Sequence, residues 1–368
     1  MDRSVIVGLS GGVDSAVAAL LLKEQGWAVQ GLFMSNWEED DDGYCTSAQD
    51  FQDARAIARE LDIPLHRVSF AAEYKARVFE YFLNEQRAGR TPNPDVLCNR
   101  EIKFGVALRY VRRLGASHFA TGHYARIVHG PRGVELHKAL DGSKDQSYFL
   151  HAVATEHLSQ TLMPLGEIEK SAVRERARRA GLPVYDKPDS TGICFIGERP
   201  FREFLGKFLD KTPGPIEAPD GERLGTHQGL AFYTLGQRGG LQIGGRRGHS
   251  EEPWYVAAKD ARRNVLVVVQ GHDHPLLASE ALTTGPMHWL TPAPRAQSFQ
   301  CTAKVRYRQA DQPCRFEPQP DGTARIVFDQ PQRAVTPGQY AVIYDGDRCL
   351  GGAVIETVLP STCAQQAA

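Results

Sequence analysis

Residues 10–15 read Ser-Gly-Gly-Val-Asp-Ser, between a short apolar run at 4–9 and a helix-forming run at 15–25. No other feature restricts the fold as much. Two adjacent glycines let the backbone take positive φ and bring its N–H groups close to a ligand. The helix that follows offers unpaired N–H groups and the positive end of its dipole to an anion. Ser10 and Ser15 add hydroxyl donors. Asp14 suits holding Mg²⁺ or orienting the loop better than touching phosphate. The run lacks the lysine of G-x-x-x-x-G-K-[ST] and does not spell G-x-G-x-x-G.

The rest of the N-terminal half repeats the strand–helix alternation. Strands are expected at 27–34, 64–70 and 118–125, with helices opening at Ser47 and covering 100–114. Such alternation gives a parallel, doubly wound α/β sheet with helices on both faces. Open α/β sheets bind ligands beyond the carboxyl ends of their strands. Met34 and Gly122, each at a strand end, are therefore expected to line an adenosine pocket beside Gly8, Leu9, Ser10, Gly11, Gly12, Val13, Asp14 and Ser15.

The pattern changes near residue 205. Residues 206–250 are rich in glycine and proline. After about 273 the signals are alternating strands at 301–308, 323–328, 339–344 and 352–358, with Asp321-Gly322 and Asp345-Gly346 as turns. Three domains are expected: a catalytic domain at 1–205, a small central α+β domain at 206–272, and a C-terminal β-barrel at 273–368. The 368 residues allow for that number, and 42% hydrophobic content supplies their cores. No apolar run approaches the roughly 18 residues of a membrane helix, and no signal-peptide pattern is seen, so a cytoplasmic home is expected. Nothing suggests an obligate dimer, and a monomer is expected. The formal charge of −1 does not advertise a nucleic-acid binder. Local basic segments could still serve: Lys170 to Arg179, and Arg238, Arg246 and Arg247 among glycines.

Seven cysteines include no C-x-x-C pair, and their odd number argues against a disulfide framework. Cys98 follows Pro92-Asn-Pro-Asp-Val-Leu, where two prolines disfavour helix before each of them. Helical periodicity starts near Asn99. This places Cys98 at a helix N-terminus close to Arg100 and Lys103, a setting that favours thiolate. Asp95, three residues earlier, can relay a proton. Cys194, in Asp189-Ser-Thr-Gly-Ile-Cys-Phe-Ile-Gly197, suits either an inert buried thiol or a mobile loop thiol. Cys45, Cys301, Cys314, Cys349 and Cys363 read as structural.

The loop resembles the pyrophosphatase (PP) loop of adenylating enzymes, which split ATP between its α and β phosphates. With Asn-Pro-Asp-x-x-Cys at 93–98 and the runs 120–126, 144–150, 190–197, 233–245 and 305–308, nearly the whole chain resembles the bacterial tRNA-specific 2-thiouridylase family. That resemblance implies ATP with Mg²⁺ at 8–15, Met34 and Gly122. It implies the target base at Asn93, Pro94 and Asp95, and tRNA contacts at Lys144, Asp145, Gln146, Arg306, Tyr307 and Arg308. Cys98 would be the nucleophile, Cys194 the persulfide carrier and Asp95 the proton shuttle. The partners would be tRNA for Lys, Glu and Gln and a persulfide-bearing sulfur-donor protein. On an alternating strand, Arg306 and Arg308 would share one RNA-facing side. An amidotransferase-like synthetase would need neither cysteine, and a nucleotide sensor would need no turnover. An iron–sulfur route for the sulfur stays open beside the persulfide one.

Overall fold

The computed structural model describes residues 3–37, 47–130, 133–189, 201–244, 248, 250–292 and 297–360. The first strands are β1 (Ser4–Gly8), β2 (Ala28–Ser35), β3 (Leu65–Ser69) and β4 (His118–Ala120). A hairpin of β5 (Ala125–Gly130) and β6 (Gly133–Lys138) interrupts the sheet before β7 (Thr161–Leu162) completes it. The sheet order is β3-β2-β1-β4-β7, all parallel. Val5, Ile6 and Val7 of β1 are fully buried, as a central parallel strand covered on both faces requires. The chain winds outward from β1 through β2 to β3, then crosses back to β4 on the other side. The carboxyl end of β1 is thus the topological switch point, where this architecture opens a crevice.

Helices α1 (Val13–Glu24) and α2 (Ser47–Glu60) pack in the core beside β1 and β2, with Ala16, Val17, Ala54 and Ile57 fully buried. Helix α1 starts two residues earlier than its sequence suggests, because Gly12, extended at φ −101°, is already the cap. It stops where expected, with Gly26 at φ +80°. Helix α3 spans 71–87 and α4 spans 94–113. The start of α4 differs from expectation. Asn93 is its cap, its side-chain oxygen accepting from the Asp95 N–H at 3.2 Å, and Pro94 fills the first helical position, where proline has no N–H to waste. Cys98 therefore lies one turn inside the helix, not at its N-terminus. There the hydrogen bonding loosens to an i→i+5 pattern over Cys98–Ala107, a widening often found at functional sites.

Strand β4 ends at Ala120, short of the expected 125, and the chain leaves the sheet before re-entering as β5. Among the described residues, 206–272 carry β8 (Gly214–Glu217), β9 (Arg223–His227), β10 (Trp254–Asp260) and β11 (Val265–Gln270), in the order β10-β11-β8-β9. Their helical content is a single 3-10 turn at Leu230–Phe232.

The last part holds β12 (Ala278–Thr284), β13 (His288–Trp289), β14 (Phe299–Lys304), β15 (Gln312–Pro318), β16 (Ala324–Arg333), β17 (Tyr340–Asp345) and β18 (Arg348–Pro360). Pairing runs β12-β16-β15-β14-β17-β18, and β18 pairs back to β12, so the barrel closes and leaves no free edge in that ring. Its core includes Leu282, Phe316, Ile326, Ala341, Ile343 and Ile355. Gly322 and Gly346 turn the chain at positive φ, as the Asp-Gly pairs suggest.

Two features depart from the sequence reading. The β5–β6 hairpin adds to β18 of the barrel through Arg348↔His137 and Cys349↔Leu136, so the N-terminal segment contributes strands to the C-terminal sheet. Strand β14 ends at Lys304, and Arg306–Arg308 form a turn in which Arg308 takes φ +64°. A left-handed residue breaks strand alternation, so Arg306 and Arg308 do not share a strand face. Instead the Arg306 guanidinium donates to the Ala334 carbonyl, Tyr307 packs on Phe149 at 4.3 Å between ring centres, and Arg308 stacks on Tyr307.

Candidate nucleotide and thiol site

The loop at the end of β1 is ordered by its own side chains. Ser15 Oγ donates to the Gly12 carbonyl at 3.0 Å and accepts from the Ser10 N–H at 3.2 Å, with Ser10 Oγ also 3.2 Å away. Gly11 sits at φ +77°, and a Cβ there would meet the Asp50 carbonyl oxygen at 2.4 Å. A Cβ on Gly122, just past β4, would press on the Asp14–Ser15 peptide at 2.7 Å. Both positions are closed to any side chain, which leaves main-chain N–H groups as the lining. Met34, at the end of β2, reaches the same place: its Cε lies 3.5 Å from where a Cβ on Gly8 would be. Just beyond, Ser35 Oγ and Asn36 Oδ1 are buried with no partner among the described residues. Orphaned buried polar atoms of this kind call for a ligand or water. The loop, the closed glycines and these atoms together fit a nucleoside triphosphate.

Asp14 is taken up in an ionic network. It accepts from Lys170 Nζ at 2.7 and 2.8 Å and from the Tyr124 hydroxyl at 2.7 Å. Burial, reinforced by Asp14, pushes the Tyr124 phenol up, so it stays a donor. Lys170 opens helix α5 (Lys170–Arg179) and is shared with Asp189, 2.8 Å away. Asp189 also takes Lys144 and Arg174, each at 2.8 Å. Burial alone would raise the Asp189 carboxyl, but hydrogen bonds from Lys144 and Lys170 overcome it and hold the group at about 2. A second clamp comes from Lys187, which donates to the Gly11 carbonyl at 3.1 Å and to Asp50 and Asp53 at 2.8 and 2.6 Å. Asp50, three residues past Ser47, is thus engaged by Lys187.

The basic helix read as an RNA face is largely spent within the protein. Besides Lys170 and Arg174, Arg178 and Arg179 pair with Glu175. Arg238 is exposed; Arg246 and Arg247 lie outside the described residues.

The thiol side rests on α4. Cys98 is buried, 1% exposed, in the core cluster with Val96, Leu97 and Ile102. Arg100 is turned to Glu101 at 2.8 Å. Burial raises the Asp95 carboxyl, and Lys103 opposes the rise. Lys103 also acts on His123, whose imidazole burial holds well below its usual range. Thr121 Oγ1 fixes that ring at 2.8 Å from Nδ1, and Phe104 packs on it. The charge of Lys103 thus acts on both Asp95 and the buried, neutral His123. Cys194, Cys45 and Cys363 lie outside the described residues.

Of the expected tRNA contacts, Lys144 is half-exposed. Asp145 is buried and accepts from the N–H groups of Ala139 and Ser147, both at 3.1 Å. Gln146 accepts from the Tyr124 N–H at 3.0 Å. These two residues hold the turn that presents Lys144. Sequence reasoning missed Tyr124, His123, Lys187 and Asp189 as site residues and misread Lys170. Tyr124 and His123 lie inside the informative run 120–126, and Lys187-Pro-Asp189 leads directly into 190–197. Their spacing carried the signal, but their counter-ions did not stand near them in sequence.

Three family models match this chain in succession. The "tRNA methyl transferase HUP domain" covers 3–198, the "tRNA methyl transferase PRC-barrel domain" covers 202–270, and the "Aminomethyltransferase beta-barrel domain" covers 279–355. Among curated relatives, the tRNA-specific 2-thiouridylase MnmA of Burkholderia thailandensis is 57% identical over 96% of this chain and 94% of its own length. Those of Francisella philomiragia and Vibrio vulnificus are each 54% identical, over 96% and 99% of this chain and 99% of their own length.

Proposed function

The chain belongs to the tRNA-specific 2-thiouridylase family, and from that premise we propose that it adenylates O2 of the wobble uridine in tRNAs for Lys, Glu and Gln and replaces that oxygen with sulfur. The observation that carries the reading is the joining of two devices on one sheet: a phosphate-cradling loop at the switch point, and a cysteine one turn behind an Asn-Pro-Asp cap. Methyl transfer, the chemistry in the family models' label, would need neither an ATP-splitting loop nor an Asp-x-x-Cys turn.

A urea-like C2 carbonyl is a poor electrophile with a poor leaving group. Attack of O2 on the α phosphorus of ATP releases pyrophosphate and makes the oxygen part of AMP, a good leaving group. The main-chain N–H groups of residues 10–13 and the hydroxyls of Ser10 and Ser15 would hold the departing pyrophosphate, with negative charge gathered at the α1 N-terminus. Met34, Gly122 and the orphaned Ser35 and Asn36 atoms would hold the nucleoside. Among the described residues no three His, Cys, Asp or Glu side chains converge on a point. Mg²⁺ would therefore arrive with the phosphates, where it would neutralise their charge. Asp14 keeps its role through Lys170: it orients the loop.

Asn93, Pro94 and Asp95 would receive the extruded base, which single-stranded loops release cheaply. Asp95, its carboxyl raised by burial, holds a proton more readily than an ordinary aspartate, as a shuttle needs. Cys194 would carry the sulfur as a persulfide received from a donor protein. Its terminal sulfur then attacks C2 and expels AMP, after which the Cys98 thiolate cleaves the Cys194–S–S–C2 linkage and frees the thiouridine; alternatively Cys98 attacks the persulfide first, and the hydrosulfide released attacks C2 and expels AMP. Either route leaves a Cys98–Cys194 disulfide for a reductant to reset. Lys144, Arg306, Tyr307 and Arg308 would contact tRNA. Among the described residues no helix is long and apolar enough to cross a membrane. An enzyme acting on tRNA would work in the cytoplasm, and we propose that it does so as a monomer.

Reaction with ATP, Mg²⁺, unmodified glutamate tRNA and either a protein persulfide or free sulfide, followed by nucleoside mass analysis, tests this. Wild type should make 2-thiouridine from both sulfur sources, and Cys194→Ser from free sulfide alone. AMP and pyrophosphate released on a small substrate, with no thiolated nucleoside, would overturn the reading.

A further inference from the structure

Arg306 and Arg333 converge where all three segments of the chain meet. Gly236, at φ +77°, lies between them: a methyl group there would sit 2.6 Å from Ala334 Cβ, 3.4 Å from Arg333 Nη1 and 3.6 Å from Arg306 Nη2. Glycine is required twice over, by its conformation and by the space the two guanidinium groups occupy. Arg333 is the last residue of β16. Its Nε donates to the His272 carbonyl at 2.8 Å, and its plane stacks on Tyr255 at 4.7 Å. Its Nη2 is buried and has no acceptor. Arg306 is held by the Ala334 carbonyl, and Ala334 itself takes φ +50°, an unusual conformation for alanine.

Neither arginine has a carboxylate within ion-pair distance among the described residues, although most other cations near the site do. Burial and the facing charge of Arg333 lower the proton affinity of Arg306. Two like charges, half-buried and fixed by main-chain carbonyls and a ring, are unfavourable unless an anion joins them. The rigid fork of arginine suits the paired oxygens of a phosphate.

The place also has a direction. Thr91 Oγ1 lies 3.5 Å from Thr234 Oγ1, and the Thr91 carbonyl accepts from Gln339 Nε2 at 2.8 Å. Thr91 stands two positions ahead of Asn93, the cap of the helix that carries Cys98. Through Thr234, two residues before Gly236, the arginine pair is thus joined to the segment that leads into Asn93.

We propose that Arg333, together with Arg306, clamps one RNA phosphodiester beside the nucleotide to be modified, with Gly236 between the two guanidinium groups. The proposal rests on the tRNA reading above, where Arg306 is already a contact, and adds Arg333 and the group both arginines grip. Both arginines act on the backbone, so they position the RNA without reading its sequence.

The experiment is a titration of tRNA binding against salt, for wild type and Arg333→Gln. Each neutralised single-strand phosphate contributes about 0.7 to the slope of log affinity on log salt. Arg333→Gln should bind several-fold more weakly at low salt, with the slope smaller by about that amount, while ATP affinity stays unchanged. Arg333→Lys keeps the charge and should keep most of the slope. In a second arm, wild type binds anticodon stem–loops carrying one neutral methylphosphonate at a time. One position should reproduce the Arg333→Gln slope and have no further effect in that variant. An unchanged slope in a folded Arg333→Gln, or no methylphosphonate position that the variant masks, overturns the proposal. The second arm reads the wild-type protein even where a variant folds poorly. Competition by inorganic phosphate at constant ionic strength, with no positional effect in the RNA, would mean a free-phosphate site and also overturn it. If wild type bound no tRNA, the functional reading itself would have failed.

Discussion

The nucleotide loop and the arginine junction handle charge in opposite ways. Around the loop nearly every charged side chain has its counter-ion: Asp14 has Lys170, Lys187 has Asp50 and Asp53, and Asp189 gathers Lys144, Lys170 and Arg174. At the junction, Arg306 and Arg333 face one another and share no acid. A saturated network fixes geometry and leaves main-chain N–H groups as the donors for an incoming phosphate chain. An unsaturated pair keeps its attraction for a ligand that supplies the charge from outside. The first arrangement suits a small substrate that must be aligned for chemistry, the second a polymer that must be gripped.

The contrast can be broken at several points. The largest effect is expected from Cys98→Ser, which should lower thiolation by roughly 10⁴-fold while leaving ATP binding intact; single-turnover nucleoside analysis with parallel nucleotide titration reads both. Next, Gly122→Val would force a side chain into the Asp14–Ser15 peptide, and ATP affinity should fall by roughly tenfold or more, about 1.4 kcal/mol, with tRNA affinity little changed. Lys170→Met tests saturation directly, because it leaves Asp14 partly buried without its cation. Stability should fall by about 2 kcal/mol, less than the roughly 3–5 kcal/mol of a fully buried pair because Asp14 keeps 33% of its side-chain exposure. Denaturant unfolding measures it, and a neutral result would mean that solvent or Tyr124 alone satisfies Asp14.

The smallest effect is in pH. The Asp189 carboxyl lies at about 2 in the folded chain against an ordinary 3.8. A depressed folded value stabilises the fold above the unfolded one, and that contribution is lost as pH falls from about 4 towards 2. Asp189→Asn should flatten this part of the acid-unfolding curve and leave the neutral region parallel. A wild-type slope retained in the variant would assign the window to other carboxylates.

The parts of this molecule legible in sequence are those whose determinants are local. Ser10 to Ser15 carries its own turn chemistry, and the buried β1 announces a parallel sheet. Asp-Gly pairs mark two barrel turns. The start of α4 was misplaced by five residues because the prolines were read as breakers, whereas Pro94 at the first helical position with Asn93 as cap is a start signal. The β5–β6 hairpin could not be assigned to the barrel, since its partner β18 lies about two hundred residues on. The turn at 306–308 looked like a strand because only Arg308's left-handed backbone breaks the alternation. The counter-ions of Asp14 and of Lys187 are more than 130 residues from them in sequence. Charge composition alone therefore made α5 look like an RNA face.

In the proposed reaction ATP activates the uridine oxygen itself. This step is read with tRNA labelled with ¹⁸O at O2 of the wobble uridine, thiolated to completion and followed by mass analysis of the AMP. Transfer of one ¹⁸O to each AMP, matching each 2-thiouridine formed, is the predicted result. Unlabelled AMP alongside thiolated RNA would contradict adenylation at O2 and leave the loop a different part in the reaction.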